Sequence, residues 1–399
     1  MPQKPSLTIH GGAGSISHSS LPPSSPLYTA YTASIREVLR ATYPLLLAGH
    51  SALTAATHAV TLLEDNPLFN ASKGSVFTRD GRNELEASVM VSRGYRKRGV
   101  GVAMLTTVKN PILLARELLV RGEGDGGQGH NFLSGAEAEK LAVEWGCEVV
   151  SPGYFWTERR WEEHLRGLKK EKGYSAGGGV PDEDPTGESA EYLPQGTVGC
   201  VAMDIHGTLC VATSTGGLTN KLPGRIGDTP TPAAGFWAEE WRVPAPSPST
   251  PSPSISASFW NLLTTCIPTA ALTPISEKQP LLEENTDHPT PPCTRAVALS
   301  GTGNGDYFLR LAVAHNIAAR CRFGGLSLKE AAEAVVGRGG EMQRAAGERW
   351  GLGDGSGGVI GLDEKGNVVM VMNCGGMFRG YIDEEGKARV GVYWDEKET

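Results

Sequence analysis

Residues 197–213 constrain the fold more than any other stretch. They read TVGCVAMDIHGTLCVAT, two apolar runs, Val198–Met203 and Leu209–Thr213, on either side of His206-Gly207. Short apolar runs joined through a Gly-containing turn predict a β-hairpin. A polar run follows to Asp228, dense in Thr and Gly, with Arg225 and Asp228 near its end. Immediately upstream stands Gly196-Thr197.

That dipeptide has two readings. A Gly-Thr step before an apolar run is how an ordinary strand begins. It is also what a self-cleaving chain needs. A Thr hydroxyl is a poor nucleophile without a base, and a freed α-amine on the same residue can serve as one. Its pKa of about 7.7–8.0 leaves a useful share neutral near physiological pH. The cut calls for Thr, Ser or Cys after a small residue, preceded by an uncovered segment. Gly173–Gly196, GYSAGGGVPDEDPTGESAEYLPQG, has that composition. The dipeptide alone favours the ordinary strand start.

A chain of 399 residues can bury one large α/β domain or two ordinary ones. A net charge of −7 without a basic stripe argues against a nucleic-acid partner. No apolar run approaches the roughly 20 residues that span a bilayer, so no membrane association is expected. Met1-Pro2-Gln3-Lys4 runs straight into the strand Leu7–His10 with no apolar leader. Seven scattered cysteines (147, 200, 210, 266, 293, 321 and 374) lack any C-x-x-C and read as reduced, core residues of a cytoplasmic protein.

Along the chain, helical spacing covers Tyr28–Ala48, with Pro44 a candidate kink, and Ala52–Leu63. Strands are expected at Ser75–Thr78, Glu86–Val91 and Gly99–Leu105, and helices at Asn110–Val120, Gly135–Trp145 and within Tyr154–Leu168. After the hairpin, Ala296–Leu299 reads as a strand, Asp306–Ala319 and Leu328–Val336 as helices. Gly358–Asp363, Val368–Asn373, Met377–Gly380 and Arg389–Tyr393 read as closing strands. Two stretches are low in complexity, 173–196 and a Pro/Ser-rich insertion at about 244–292, whose apolar middle Ser256–Ile267 suits a short helix. The order is not a regular βαβ alternation, which disfavours a doubly wound sheet and fits two packed sheets with helices outside.

Several segments, in order along nearly the whole chain, resemble the plant-type L-asparaginase / isoaspartyl peptidase family of N-terminal nucleophile (Ntn) hydrolases. They are Thr8-Ile9-His10-Gly11-Gly12-Ala13-Gly14, Asn66–Ala71, Gly74–Gly81, the Gly196–Asp228 block, Ser300–Asp306 and Gly376–Gly380. The resemblance implies a mixed α/β (α+β) fold, the four-layer αββα sandwich. It also implies a cut that yields an α subunit, 1–196, and a β subunit, 197–399, with Thr197 at the tip of a central strand. The long 244–292 insertion departs from the family, which has a short connection there.

The same resemblance assigns roles. Thr197 is the nucleophile, and Thr215 hydrogen-bonds it; on sequence alone Thr215 equally caps its own turn. Arg225 would grip a substrate carboxylate and Asp228 its ammonium, where spacing alone suggests a surface i,i+3 ion pair. Thr302 and Gly303 would form the oxyanion hole, with Gly305 offering its carbonyl to the ammonium. Asn70 would steady the loop below the nucleophile. Main-chain carbonyls of Leu63, Glu64, Asn66, Phe69, Ala71 and Lys73 would hold a structural sodium ion, although Ser72-Lys73 departs from the family pattern. Glu86 stands where the family often has Asp, and Asn304 where it often has Thr.

Other chemistries fit less well. Gly301-Thr302-Gly303-Asn304-Gly305 lacks the glycine spacing of a dinucleotide loop. No His, Cys and carboxylate cluster has zinc spacing, and no G-x-S-x-G elbow accompanies His10, which reads as a hydrogen-bonded histidine at a strand end. The expected activity is hydrolysis of L-asparagine to aspartate and ammonia, or of isoaspartyl dipeptides, without an organic cofactor, by a dimer of cut αβ units. A threonine aspartase, a glycosylasparaginase and an uncut scaffold that presents its Pro/Ser segment are the alternatives.

Overall fold

The computed structural model describes residues 3–96, 98–122, 127–175, 196–243, 293–350 and 353–399. Most of the two low-complexity stretches, and with them the short helix expected at Ser256–Ile267, lies outside the described residues. The chain divides into two compact units, Met1–Trp241 with Ala296–Thr399, and Arg242–Arg295. Almost all of the second is outside the described residues, so the architecture below is that of the first.

The elements run β1 (Ser6–Gly14), α1 (Pro26–Leu47), α2 (Ala52–Glu64), β2 (Leu85–Val91), β3 (Gly99–Leu105), α3 (Pro111–Arg121), β4 (Phe132–Ser134), α4 (Gly135–Glu144) and α5 (Glu158–Ser175). Next come β5 (Val198–Met203), β6 (Leu209–Thr215), β7 (Phe236–Val243), β8 (Cys293–Gly303), α6 (Gly305–Leu311), α7 (Val313–Arg322), α8 (Leu328–Val335) and α9 (Glu341–Ala346). The chain closes with β9 (Gly357–Asp363), β10 (Val368–Met372), β11 (Gly376–Ile382) and β12 (Ala388–Tyr393).

Local chemistry explains most boundaries. Ser25 caps α1 by accepting the Tyr28 N–H, and Pro26 occupies the first turn, where a missing N–H costs nothing. Pro44 sits in the last turn of α1 without ending it. Ser51 caps α2 through the Thr54 N–H, and Ser327 and Glu330 form a capping box on α8.

Two expectations change, and β7 was not foreseen. Ser75–Thr78 is not a strand, and only Thr78 makes a bridge, to Lys221. Side chains take the groups that a ladder would use: Val76 N–H donates to Asn70 Oδ1, and Asn83 Nδ2 donates to the Ser75 and Val76 carbonyls. The helix expected at Asp306–Ala319 is split at Ala312, which has φ 47° and ψ 48°. The Ala314 and His315 N–H groups at the head of α7 donate to the Ala234 and Ala233 carbonyls instead. Phe236–Val243, whose apolar pattern is broken by Glu239 and Glu240, forms β7; Glu239 is buried against Arg322 at 2.9 Å.

The strands form an eight-stranded sheet, β12-β11-β1-β5-β6-β2-β3-β4, and a four-stranded sheet, β10-β9-β8-β7. The expected hairpin is β5–β6, antiparallel with Val198 opposite Ser214 and Met203 opposite Leu209. Alternate residues of these strands serve two cores. Cys200, Ala202, Cys210 and Ala212 face the cluster shared with α1, α2 and α3. Val201, Met203, Leu209 and Val211 face a second cluster with Phe236, Ala298, Ile360 and Met377, between the sheets. Both faces are therefore dry, which explains strands apolar at nearly every position. Helices α1–α3 lie on the outer face of the large sheet and α8 on that of the small one. This is the αββα arrangement, and β5 runs through the middle of its larger sheet.

Candidate active site

Thr197 stands one residue ahead of β5, which is paired with β1 on one side and β6 on the other. It is buried, and its Oγ1 lies 2.8 Å from Thr229 Oγ1. The residue before it is clamped. The register of β1 shifts between His10 and Ala13, and Gly12 takes φ 116°. A β-carbon on Gly196 would lie 2.5 Å from Ala13 N, 2.5 Å from Thr302 Oγ1 and 2.6 Å from Gly12 Cα. Only glycine fits that seat, and its occupant touches Thr302.

β6 delivers Thr215. Its Oγ1 accepts the Gly217 N–H at 3.0 Å, so the local turn expected from sequence is present at the same residue that faces the pocket. Asn70 holds this turn from below: Nδ2 donates to the Gly217 carbonyl at 2.8 Å, and the Gly216 N–H donates to the Asn70 carbonyl.

Arg225 and Asp228 are not an exposed ion pair. Arg225 Nη2 pairs with Asp306 Oδ1 at 3.2 Å, while Asp228 is buried with Oδ2 lacking any hydrogen-bond partner. Burial, with the Glu86 charge adding to it, pushes the Asp228 carboxyl up to about 7. An unpartnered carboxylate oxygen in a dry site is a position for a cation or N–H donor. Behind it lies a buried pair, Lys221 Nζ to Glu86 Oε1 at 3.7 Å. Glu86 also accepts the Gly227 N–H at 3.1 Å. Burial raises the Glu86 carboxyl and lowers the Lys221 ammonium from their usual values.

Thr302, the last residue but one of β8, is fully buried, its Oγ1 accepting the Ala13 N–H at 3.2 Å. The Asn304 N–H donates to the Ser356 carbonyl, which turns the chain into α6. Thr197, Thr215, Arg225, Asp228, Gly303 and Gly305 line one cleft, with Glu86 and Leu218 completing its wall. Its free volume is about 10 Å³, roughly one water. Thr302 and Asn70 are not in its lining: Thr302 precedes Gly303, and Asn70 is hydrogen-bonded to Gly217. A wider groove of about 660 Å³, bordered by Lys4, Lys329 and Tyr381, contains none of these residues.

His10 is fully buried. Nε2 lies 2.7 Å from Ser300 Oγ, but Nδ1 has no hydrogen bond of normal geometry, so the ring is only half satisfied. Burial drives its pKa down to about 3, which keeps it neutral. Among the described residues no group of three His, Cys, Asp or Glu side chains could hold a metal.

The loop expected to carry sodium offers neutral carbonyls. Those of Asn66 and Ala71 accept only long turn bonds, at 3.2 and 3.4 Å, so each keeps a lone pair. The Lys73 ammonium lies 5.4 Å from the Tyr154 ring centroid, engaged by that ring. This donor set fits a hard monovalent cation.

Sequence reasoning did not single out Thr229, Lys221 or Asp306 as site residues. Thr229 directly follows Asp228, yet a hydroxyl in a Thr-rich run carries no distinguishing signal. Lys221 and Asp306 look like solvated charges, and only the packing shows their partners.

Residues 3–245 and 292–392 match the asparaginase family. An isoaspartyl peptidase of Escherichia coli is 34% identical over 98% of the chain and 97% of its own length. A putative isoaspartyl peptidase/L-asparaginase of Dictyostelium discoideum is 32% identical over 96% of the chain and 94% of its own. A probable isoaspartyl peptidase/L-asparaginase of Arabidopsis thaliana is 28% identical over 97% and 98% respectively.

Proposed function

The chain belongs to the asparaginase family, and from that premise we propose that it cuts itself before Thr197 and then hydrolyses L-asparagine and isoaspartyl dipeptides with the freed threonine. The observation that carries this reading is the single cleft lined by Thr197, Thr215, Arg225, Asp228, Gly303 and Gly305.

In the cut, Thr197 Oγ1 bonds to the Gly196 carbonyl carbon and the Gly196–Thr197 C–N bond breaks. The hydroxyl proton ends on the nitrogen that becomes the α-amine. Water then hydrolyses the ester, leaving a carboxylate on Gly196 and a free Thr197. In turnover the α-amine takes the hydroxyl proton as Thr197 Oγ1 attacks the substrate's side-chain carbonyl carbon. The oxygen gathers negative charge opposite Thr302 and the Gly303 N–H, a donor pair whose members are each worth about 10²–10³ in rate. The protonated leaving group departs as ammonia or an amino acid, and water releases aspartate.

The head of the substrate accounts for the rest of the cleft. Arg225 exchanges Asp306 for the α-carboxylate. The α-ammonium satisfies the orphan Oδ2 of Asp228, with the Gly305 carbonyl beside it. A sodium ion held by the carbonyls of Leu63, Glu64, Asn66, Phe69, Ala71 and Lys73 would stiffen the loop that carries Asn70. Subunits 1–196 and 197–399 paired as a dimer, in the cytoplasm, complete the proposal. The unpaired cysteines 147, 200, 210 and 374 suit a reducing compartment, and no helix among the described residues is long and apolar enough to cross a membrane.

The test is Thr197→Ala. Wild-type protein should give two bands on a denaturing gel, one with Thr197 at its N-terminus, and release ammonia from asparagine. The variant should give one band and none of the activity. An active, uncut variant would overturn the reading.

A further inference from the structure

We propose that Thr229 is a positioning residue for Thr197: its hydroxyl holds the Thr197 hydroxyl in the rotamer from which it attacks, first on Gly196 and then on substrate. This deepens the function proposed above and rests on it. The two hydroxyl oxygens lie 2.8 Å apart, both residues are buried, and among the described residues each hydroxyl has the other as its hydrogen-bond partner.

What makes Thr229 a reference point is how firmly its own backbone is held. Its carbonyl accepts from Ser88 Oγ at 2.6 Å and from Thr213 Oγ1 at 3.3 Å. Those two hydroxyls are themselves 2.5 Å apart across the β2–β6 ladder, where Ser88 faces Thr213. On the other side the Asp228 carbonyl accepts the N–H groups of Thr231 and Gly235, at 3.0 and 3.1 Å. The loop is therefore tied to the large sheet and closed on itself, which fixes the point from which the Thr229 side chain reaches Thr197.

A threonine side chain has three staggered wells, and a single hydrogen bond is enough to choose among them. With the Thr229 O–H donated to Thr197 Oγ1, one lone pair on that oxygen stays free to attack and its own proton stays free to pass to nitrogen. The covalent step keeps the balance given above: one C–O bond forms, one C–N bond breaks, and the proton ends on nitrogen. Thr229 supplies orientation and takes no part in the bond changes.

The test compares wild type, Thr229→Val and Thr229→Ser in three measurements: the rate at which the 197–399 fragment appears, kcat and KM of the cut enzyme on an isoaspartyl dipeptide, and near-UV circular dichroism. Valine keeps the volume and removes the hydroxyl; serine keeps the hydroxyl. Thr229→Val should cut about tenfold more slowly and lose a similar factor in kcat at unchanged KM, with Thr229→Ser within about twofold of wild type. Should Thr229→Val fail to fold, Thr229→Ala against Thr229→Ser makes the same comparison. Wild-type rates in the valine variant would overturn the proposal, as would a serine variant as impaired as the valine one, since volume and not the hydroxyl would then matter. A wild type that never cuts would instead sink the function proposed above.

Discussion

Asp228 shows how one residue's environment sets conditions for binding. Its carboxyl is pushed up to about 7 by burial, against an unfolded value of 3.8, and Oδ2 has no partner. An ammonium ligand needs the ionised form, so KM for asparagine should fall as pH rises through about 7, and Asp228→Asn should lose that dependence along with most of its affinity. Linkage gives the opposite sign for folding. Between the two values the folded protein holds a proton that the unfolded chain has released. The stability is therefore fully present below about 4 and is lost as pH rises to about 7, by at most on the order of 4 kcal/mol. Asp228→Asn should accordingly melt higher than wild type at pH 8, readable by calorimetry. The sequence identified Asp228 as a ligand through its resemblance to a known motif. Its burial and its lack of a partner could not be read there, because they depend on Glu86 and Gly305 arriving from separate segments.

At the scale of elements, the site is made where β1, β5 and β8 meet. A β-carbon on Gly199 would lie 2.1 Å from Ser300 Oγ and 2.5 Å from His10 Nε2. The His10–Ser300 hydrogen bond thus passes directly over β5, two residues beyond Thr197, linking the two sheets. Gly199→Ala should push these strands apart and cost about 1–3 kcal/mol, the range for overpacking at a well-packed site. Denaturant unfolding should show it, together with slower appearance of the 197–399 fragment. The β5–β6 hairpin was legible because its apolar runs and turn are local. The strand reading of Ser75–Thr78 failed because Asn70 and Asn83 take its main-chain groups, and β7 was hidden because a buried Glu239 depends on a distant Arg322.

For the whole molecule, the proposed cut falls within an interleaved sheet. In the order β12-β11-β1-β5-β6-β2-β3-β4, strand β1 of segment 1–196 lies between β11 and β5 of segment 197–399, and β6 pairs with β2. Separating the two pieces would open three ladders and expose both cores. The fragments should therefore co-elute on size exclusion in native buffer and part only in denaturant; separate elution would contradict this topology. The four-layer arrangement followed from element order and from family resemblance, whereas the interleaving required the register.

Gly196 fits so closely against Gly12, Ala13 and Thr302 that its seat has a second meaning. If the chain is cut there as proposed, the new carboxylate forms beside Thr302, one arm of the proposed oxyanion hole. On that proposal the first ligand the centre would have to release is a piece of itself.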